Sequence, residues 1–319
     1  MIGIKEIASY IPENRFSNYD RKTEFHIDDH FIEEKVGVKF LAVKDKDDDT
    51  SDLCVKAFDN LLKKSLLDKA TIEVVVVVTQ NPDKLIPHTS AIVHDKLDLS
   101  KRCASFDISQ GCPGYVYGLS IIISFMKENG LTKGLLFTAD PYSKIINKHD
   151  KNTALLFGDA STVTLISDDP SHALGKCMFS TIGKDYMALY EKNGRLYMNG
   201  RAIVNFAAKT VPQQIKALLR VSDIKLKDVD KLILHQGSKF IVDTITKRLG
   251  IDEQKTIFDI SDYGNTVSSS IPIILEKQLH NDQLKRIVIS GFGVGLSSAS
   301  AILLKEKSPT HVYPNAAKA

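Results

Sequence analysis

The chain contains itself twice, and that repeat limits its fold more than any other feature. Phe-Asp-Ile-Ser stands at 106–109 and again at 258–261. The surroundings of the two copies correspond as well. Ahead of them lie IEVVVVVTQNP (72–82) and VDKLILHQGS (229–238), apolar runs that end in turn residues, as buried parallel strands do. After them come GCPGYVYGLSIIISFM and GNTVSSSIPIILEKQL, each a small-residue turn leading into an apolar helix. TKGLLFTAD (132–140) matches LKRIVISGF (284–292), and FGDASTVTLIS (157–167) matches GVGLSSASAILL (293–304). Each half therefore reads strand, linking region, strand, buried helix, strand, strand. The halves divide into 1–167, carrying Cys112, and 168–319, carrying His235 and Asn265.

This alternation predicts α/β layers with largely parallel pairing. Residues 115–126 are apolar enough for a helix buried on all sides. Two such helices, one per half, predict a sheet–helix–sheet sandwich with a pseudo-twofold axis. The amphipathic stretches 51–66, 204–220 and 239–249 suit outer helices. The tail after Lys305 has no core pattern and reads as a loose end.

Composition narrows the function classes. A chain of 319 residues, 43% hydrophobic and 25% charged, has an ordinary globular profile, and its net charge of +3 is too small to argue for nucleic acid. Cys54, Cys103, Cys112 and Cys177 have neither metal-ligand nor disulfide-framework spacing, so reduced thiols in a cytosol are expected. The start MIGIKEIASYIPENR lacks the apolar run of a signal peptide, and no apolar stretch approaches a membrane span. The expectation is a soluble cytoplasmic protein that binds neither membrane nor nucleic acid. The acidic run Asp45–Asp49 reads as a solvated loop rather than a metal site, and Asp159 as a turn or interface residue.

Three residues carry the chemistry. Cys112, in SQGCPGY, falls between a strand and a helix that starts at Pro113 or Gly114. There the helix dipole and free N–H groups favour a thiolate, although a small buried core cysteine fits the same context. His235 ends the strand LILHQGSKF and reads alone as a core histidine. Asn265, at the turn YGNTVSSSIP, reads alone as a cap. All three follow strand ends, where α/β sheets place ligands, and the symmetry can bring them together.

SQGCPGY, HQGSKF, YGNTVSSSIP, FGDAS and GFGVGLSSA together resemble the motifs of the β-ketoacyl-acyl-carrier-protein synthase III family, in order from Gly3 to about Leu304. The resemblance implies a five-layered αβαβα thiolase fold and a homodimer. It implies that Cys112 takes a starter acyl group from a thioester. His235 and Asn265 then stabilise the enolate formed as malonyl-acyl-carrier protein loses carbon dioxide. The backbone N–H groups of Cys112 and Val294 form the oxyanion hole. No cofactor is implied; acyl-coenzyme A and malonyl-carrier protein are substrates. Asn265 stands where elongating ketosynthases carry a second histidine, and the C-terminal glycine turn lacks the second cysteine of thiolases.

The resemblance also assigns binding residues. Phe31 and Lys35 stand where the family usually has a tryptophan and an arginine on coenzyme A, and Lys151 where an arginine stacks on adenine. Ser238 and Phe240 replace the asparagine and arginine of the HQANxR motif, with Lys239, Lys247 and Arg248 as substitute charges for carrier-protein docking. Ile86 stands where an aromatic limits the acyl pocket across the dimer, and Phe206 is a further candidate on the substrate wall. These departures suggest a specialised pathway. Two other functions fit the same residues: an acyltransferase that passes the acyl group to a hydroxyl or amine without decarboxylation, and a non-catalytic partner subunit of a ketosynthase hetero-oligomer.

Overall fold

A computed structural model describes residues 1–306; the tail expected to be a loose end lies outside the described residues from 307 onward. The repeat is visible in the order of the elements. Short strands and helical turns aside, the first half runs β1 (Gly3–Tyr10), α1 (Thr50–Lys64), β2 (Val74–Val78), α2 (Thr89–Lys96), β3 (Ala104–Ile108), α3 (Gly114–Glu128), β4 (Lys133–Ala139) and β5 (Ser161–Ser167). The next eight positions repeat that order with one substitution. They hold β6 (His172–Thr181), α4 (Gly200–Val221), β7 (Lys231–Leu234), α5 (Lys239–Leu249), a stretch without a strand, α6 (Ser270–Gln278), β8 (Arg286–Gly293) and β9 (Ser297–Lys305).

Hydrogen bonding joins the strands in the order β7-β8-β9-β6-β1-β5-β4-β2-β3. The halves meet where Gly3 and Ile4 of β1 pair with Ala173 and His172 of β6. Alternation along each strand sorts the side chains into layers. Val75 and Val77 of β2 join Phe58 and Leu61 of α1 and Val93 of α2 in one core. Val74, Val76 and Val78 face the other way, into a core shared with Leu119 of α3, Ile274 of α6 and Ile289 of β8. On β7 the middle residue, Ile233, joins that central core, while Leu232 and Leu234 pack with Ile245 of α5 and Ile215 of α4. The result is five layers: helices, strands, the α3/α6 pair, strands, helices.

Three expectations need correction. Pairing is not largely parallel. Only β2 with β3, β2 with β4 and β7 with β8 run parallel, and the other pairs named here are antiparallel. β8 and β9 are joined by three residues, and a parallel return needs a crossover of about a dozen. Secondly, α3 is not buried on all sides: Ile121 is 39% exposed and Ser124 is exposed. Thirdly, the acidic run is not merely solvated. Asp49 caps α1, with Asp52 completing the capping box, and pairs with Lys144 at 2.7 Å, while Asp48 pairs with Lys56 at 2.5 Å. Among the described residues no group of three or more His, Cys, Asp or Glu is placed to hold a metal ion. Among them, too, no helix is long and apolar enough to cross a membrane.

The second Phe-Asp-Ile-Ser is where the repeat breaks. The first copy lies in β3, and its Asp107 accepts the N–H groups of Thr89 and Ser90 at the start of α2. The second copy forms no strand; two residues ahead of it, Thr256 makes an isolated bridge to Leu232. The buried amide of Gln236 takes the place of the ladder. Its Nε2 donates to Leu234 O (2.8 Å) and Ile257 O (3.1 Å), and its Oε1 accepts from Asp259 N (3.1 Å). Asp259 instead reaches Lys277 at 2.6 Å. A side chain has thus replaced a strand pairing, which four matching letters do not reveal. Replacing Gln236 with leucine leaves three backbone groups unpaired, and should lower stability in urea denaturation by about 3 kcal/mol. A loss below about 1 kcal/mol would show that the segment is held otherwise.

Candidate active site

Cys112 sits in the turn between β3 and α3, 3% exposed. The glycines of GFGVG are there to let it in. A Cβ on Gly293 would stand 2.6 Å from the Cys112 Sγ, and one on Gly291 would stand 2.6 Å from its carbonyl oxygen. The backbone N–H groups of Val294 and Cys112 both reach the thiol and lower its pKa, but burial outweighs them and pushes it up to about 12. Burial thus opposes the thiolate expected at this helix start, and the Cys112 thiol rests neutral with two backbone N–H groups beside it.

His235 and Asn265 come from the other half and line the same cavity of about 570 Å³ as Cys112. Burial drives the His235 pKa down to about 3, so the ring is neutral. Its Nδ1 lies 2.8 Å from Ser270 Oγ, which lies 3.0 Å from the carbonyl of Val267. The single Ser270 proton decides the tautomer. Donated to Val267 O, it leaves Nδ1 protonated and the His235 Nε2 an acceptor. Donated to Nδ1, it makes Nε2 a donor. Val267 also fixes Asn265, whose Oδ1 accepts the Val267 N–H at 2.9 Å, leaving the Nδ2 donors for the cavity. Val267 does this at φ +53°, a left-handed conformation costly for a β-branched residue.

Phe31, Lys35, Lys151 and Ser238 line the same cavity. Lys151 Nζ lies 4.8 Å from the Phe31 ring centroid and Lys35 Nζ 5.3 Å from that of Phe240, so the outer cavity carries two cation–aromatic pairs. Ser238 caps α5 by accepting from Ile241 N. The other candidates lie off the cavity's lining. Phe206 is packed in the core of the outer helical layer because α4 turns it inward, and it is not among the cavity's lining residues. Lys239 pairs with Asp243 at 2.7 Å and Glu34 at 3.2 Å, so its charge is taken up within the chain. Lys247 and Arg248 are exposed, with Arg248 donating to Ala208 O. Ile86 is 87% exposed on a loop away from this cavity. Asp159 accepts from Lys44 N, Ser143 N and Ser143 Oγ, and so fixes a turn.

With this geometry in view, comparison with known proteins is decisive. The family described as 3-oxoacyl-[acyl-carrier-protein] synthase III matches residues 106–185, and its C-terminal counterpart matches 219–305. β-Ketoacyl-[acyl-carrier-protein] synthase III of Lactococcus lactis subsp. lactis is 32% identical over 94% of this chain and 98% of its own. The chain belongs to the synthase III family. The synthase III of Streptococcus sanguinis is also 32% identical, over the same shares. The Thermus thermophilus synthase III crystal structure superposes with a TM-score of 0.89, at 27% identity over 96% of this chain and 99% of that one. The five layers are those of the thiolase fold.

The synthase III motifs alone did not disclose Asp140, Ser270, Val267 or the cavity role of Phe240. Asp140 was the most legible, because an acid closing the buried strand TKGLLFTAD needs partners. Fully buried, it accepts from Gln80 N at 2.7 Å and Ser268 Oγ at 2.5 Å, tying the Cys112 half to the Asn265 turn, and burial raises its pKa to about 6.

The His235 shift has a fixed sign. Between about 3 and its ordinary 6.5 the unfolded chain binds a proton that the folded chain does not. The fold therefore loses stability from this group as pH falls through that window, and nothing above it. In ¹⁵N-histidine spectra, the ring signals assigned by His235→Gln should stay those of a neutral imidazole from pH 8 down to 5. A titration near 6.5 would contradict the burial argument.

Proposed function

We propose that this synthase III condenses a short acyl starter with malonyl-acyl-carrier protein, releasing carbon dioxide and a β-ketoacyl thioester. The convergence of Cys112, His235 and Asn265 on one cavity carries the reading. In the first half-reaction the Cys112 sulfur attacks the thioester carbon. The oxyanion lies against the N–H groups of Cys112 and Val294, and the departing thiolate leaves with the proton given up by Cys112. His235, neutral and able to present Nε2 as an acceptor, is suited to hold that proton in transit. In the second, the malonyl thioester carbonyl accepts from Asn265 Nδ2 and His235 Nε2. The enolate formed as the carboxylate leaves is thereby stabilised, and its carbon attacks the acyl-Cys112. The Ser270 hydroxyl lets His235 serve in both.

Coenzyme A is the proposed starter carrier, held by the Phe31–Lys151 and Lys35–Phe240 pairs. These are weaker grips than tryptophan and arginine. Lys247 and Arg248 are the proposed carrier-protein contacts. Exposed Ile121 and Phe179, with Phe179 tilted against Tyr117 at 4.7 Å between ring centroids, support a homodimer. There Ile86 would close the partner subunit's acyl pocket. The proposed reaction uses no cofactor and needs no membrane or nucleic acid; a cytoplasmic location accords with its soluble substrates. The curated relatives named above favour the general initiating condensation, and they lend no support to a specialised pathway.

Intact-mass spectrometry after incubation with short acyl-coenzyme A thioesters should show one added acyl group, absent in Cys112→Ala. Acylation that persists in Cys112→Ala would remove the nucleophile from the scheme. Acylation without carbon dioxide release from malonyl-carrier protein would favour the acyltransferase alternative.

A further inference from the structure

The rim of the access cavity carries a contact that the condensing chemistry does not use. Lys35 and Phe240 both line that cavity. Lys35 belongs to a wide helical turn, Phe31–Val36, closed by Gly37 N donating to Ile32 O at 2.7 Å. Ile32 is buried beneath the turn, and Glu33, Glu34 and Lys35 are exposed. Two adjacent side chains of this turn meet two adjacent side chains at the start of α5. Glu34 Oε2 lies 3.2 Å from Lys239 Nζ, and Lys35 Nζ lies 5.3 Å from the Phe240 ring centroid. The turn is seated against α5 at Gly37, where a Cβ would stand 2.6 Å from the Lys239 Cβ. The ion pair above that seat is made by side chains alone.

Glu34 has no other ionic partner among the described residues, whereas its neighbour Glu33 is engaged by Lys39 at 3.6 Å and by the Tyr19 hydroxyl at 2.6 Å. Lys239 keeps a second partner on its own helix, Asp243 at 2.7 Å, so losing Glu34 would leave it oriented along α5. The Glu34 and Lys239 side chains are 52% and 32% exposed. Exposed pairs of this kind contribute little and are easily exchanged. Lys239, Asp243 and Lys247 recur every four residues and so share a face of α5, with Arg248 following. Lys247 and Arg248 are exposed and have no carboxylate partner among the described residues. Three cations against one acid make this part of α5 complementary to an acidic surface, with Lys239 at the end beside the cavity mouth.

We propose that Glu34 is an internal competitor for an acidic carrier protein: it occupies Lys239 at rest, and a carboxylate of the docking carrier protein takes its place. The inference rests on the condensing role proposed above. No covalent bond is made or broken; one ion pair replaces another. While Glu34 holds Lys239, the carrier protein meets a face short of one cation. A pair formed about two-thirds of the time therefore weakens docking about threefold. A free pantetheine arm brings no acidic surface to α5 and gains nothing from the exchange.

The test compares malonyl-carrier protein with malonyl-pantetheine, the same reactive arm without the protein, by carbon dioxide release from the acylated full chain. Glu34→Gln should lower the KM for malonyl-carrier protein about threefold and leave that for malonyl-pantetheine in place. Lys239→Gln should raise the KM for malonyl-carrier protein, and adding Glu34→Gln to it should change nothing further. Thermal unfolding of each variant checks that it folds, and Lys239→Met, which keeps the stem beside Gly37, serves if the glutamine variant does not. An unchanged KM for malonyl-carrier protein in Glu34→Gln would overturn this inference while leaving the synthase reading intact. So would an equal fall for malonyl-pantetheine, the mark of a mouth that is merely wider. A fall that persists without Lys239 would overturn it too, since Glu34 would then act by simple repulsion. No carbon dioxide from either donor with the wild type would overturn both.

Discussion

The site depends on one steric fit: the Cys112 turn of the first half pressed against the glycine-bearing end of β8 in the second. Gly291 and Gly293 leave no room for a side chain between them and Cys112. The close approach puts the Val294 N–H on the sulfur, and it buries the thiol so completely that its pKa rises in spite of two donors. A looser contact would give a more acidic and wetter thiol but would lose the paired amides that a tetrahedral intermediate needs. The design thus favours transition-state hydrogen bonding over a preformed thiolate.

The same junction organises the polar groups. Asp140 from the first half holds Ser268 of the second, Val267 in its left-handed conformation holds Asn265, and Ser270 meets His235. The small side chains of SSSIP, which as sequence suggest only a weak helix start, are what let a buried helix end carry hydroxyls instead of methyl groups. A neutral His235 follows from that dry setting. In the proposed reaction its work is hydrogen bonding and transient proton holding, with the direction set by the Ser270 hydroxyl.

Much of this was legible in the sequence because the chain was duplicated. Two matching apolar strands, two matching apolar helices and two matching strand pairs place Cys112, His235 and Asn265 at equivalent ends. Local context alone left Cys112, His235 and Asn265 with bland alternatives. What was not legible was relational. Strand β1 lacks strict alternation and β6 carries His172, Gly175 and Lys176, so neither stood out, yet the halves join through them. Phe206 carries the right residue type on a helix whose rotation turns it into the core. Lys239 is a cation in the sequence and is paired with Asp243 and Glu34 at the surface of the fold. The second Phe-Asp-Ile-Ser keeps its letters and loses its strand to the amide of Gln236, two residues past the end of β7.

The account's central claim is a division of labour: the first half supplies the acyl carrier, and the second supplies the donors that stabilise the enolate. The most direct test is to run the two half-reactions separately in Asn265→Ala, following Cys112 acylation by mass and carbon dioxide from carboxyl-labelled malonyl-carrier protein. The account predicts acylation close to that of the unaltered chain and a roughly hundredfold loss of carbon dioxide release, the usual effect of removing one such donor. Loss of acylation together with decarboxylation, or full decarboxylation without the Asn265 amide, would contradict it.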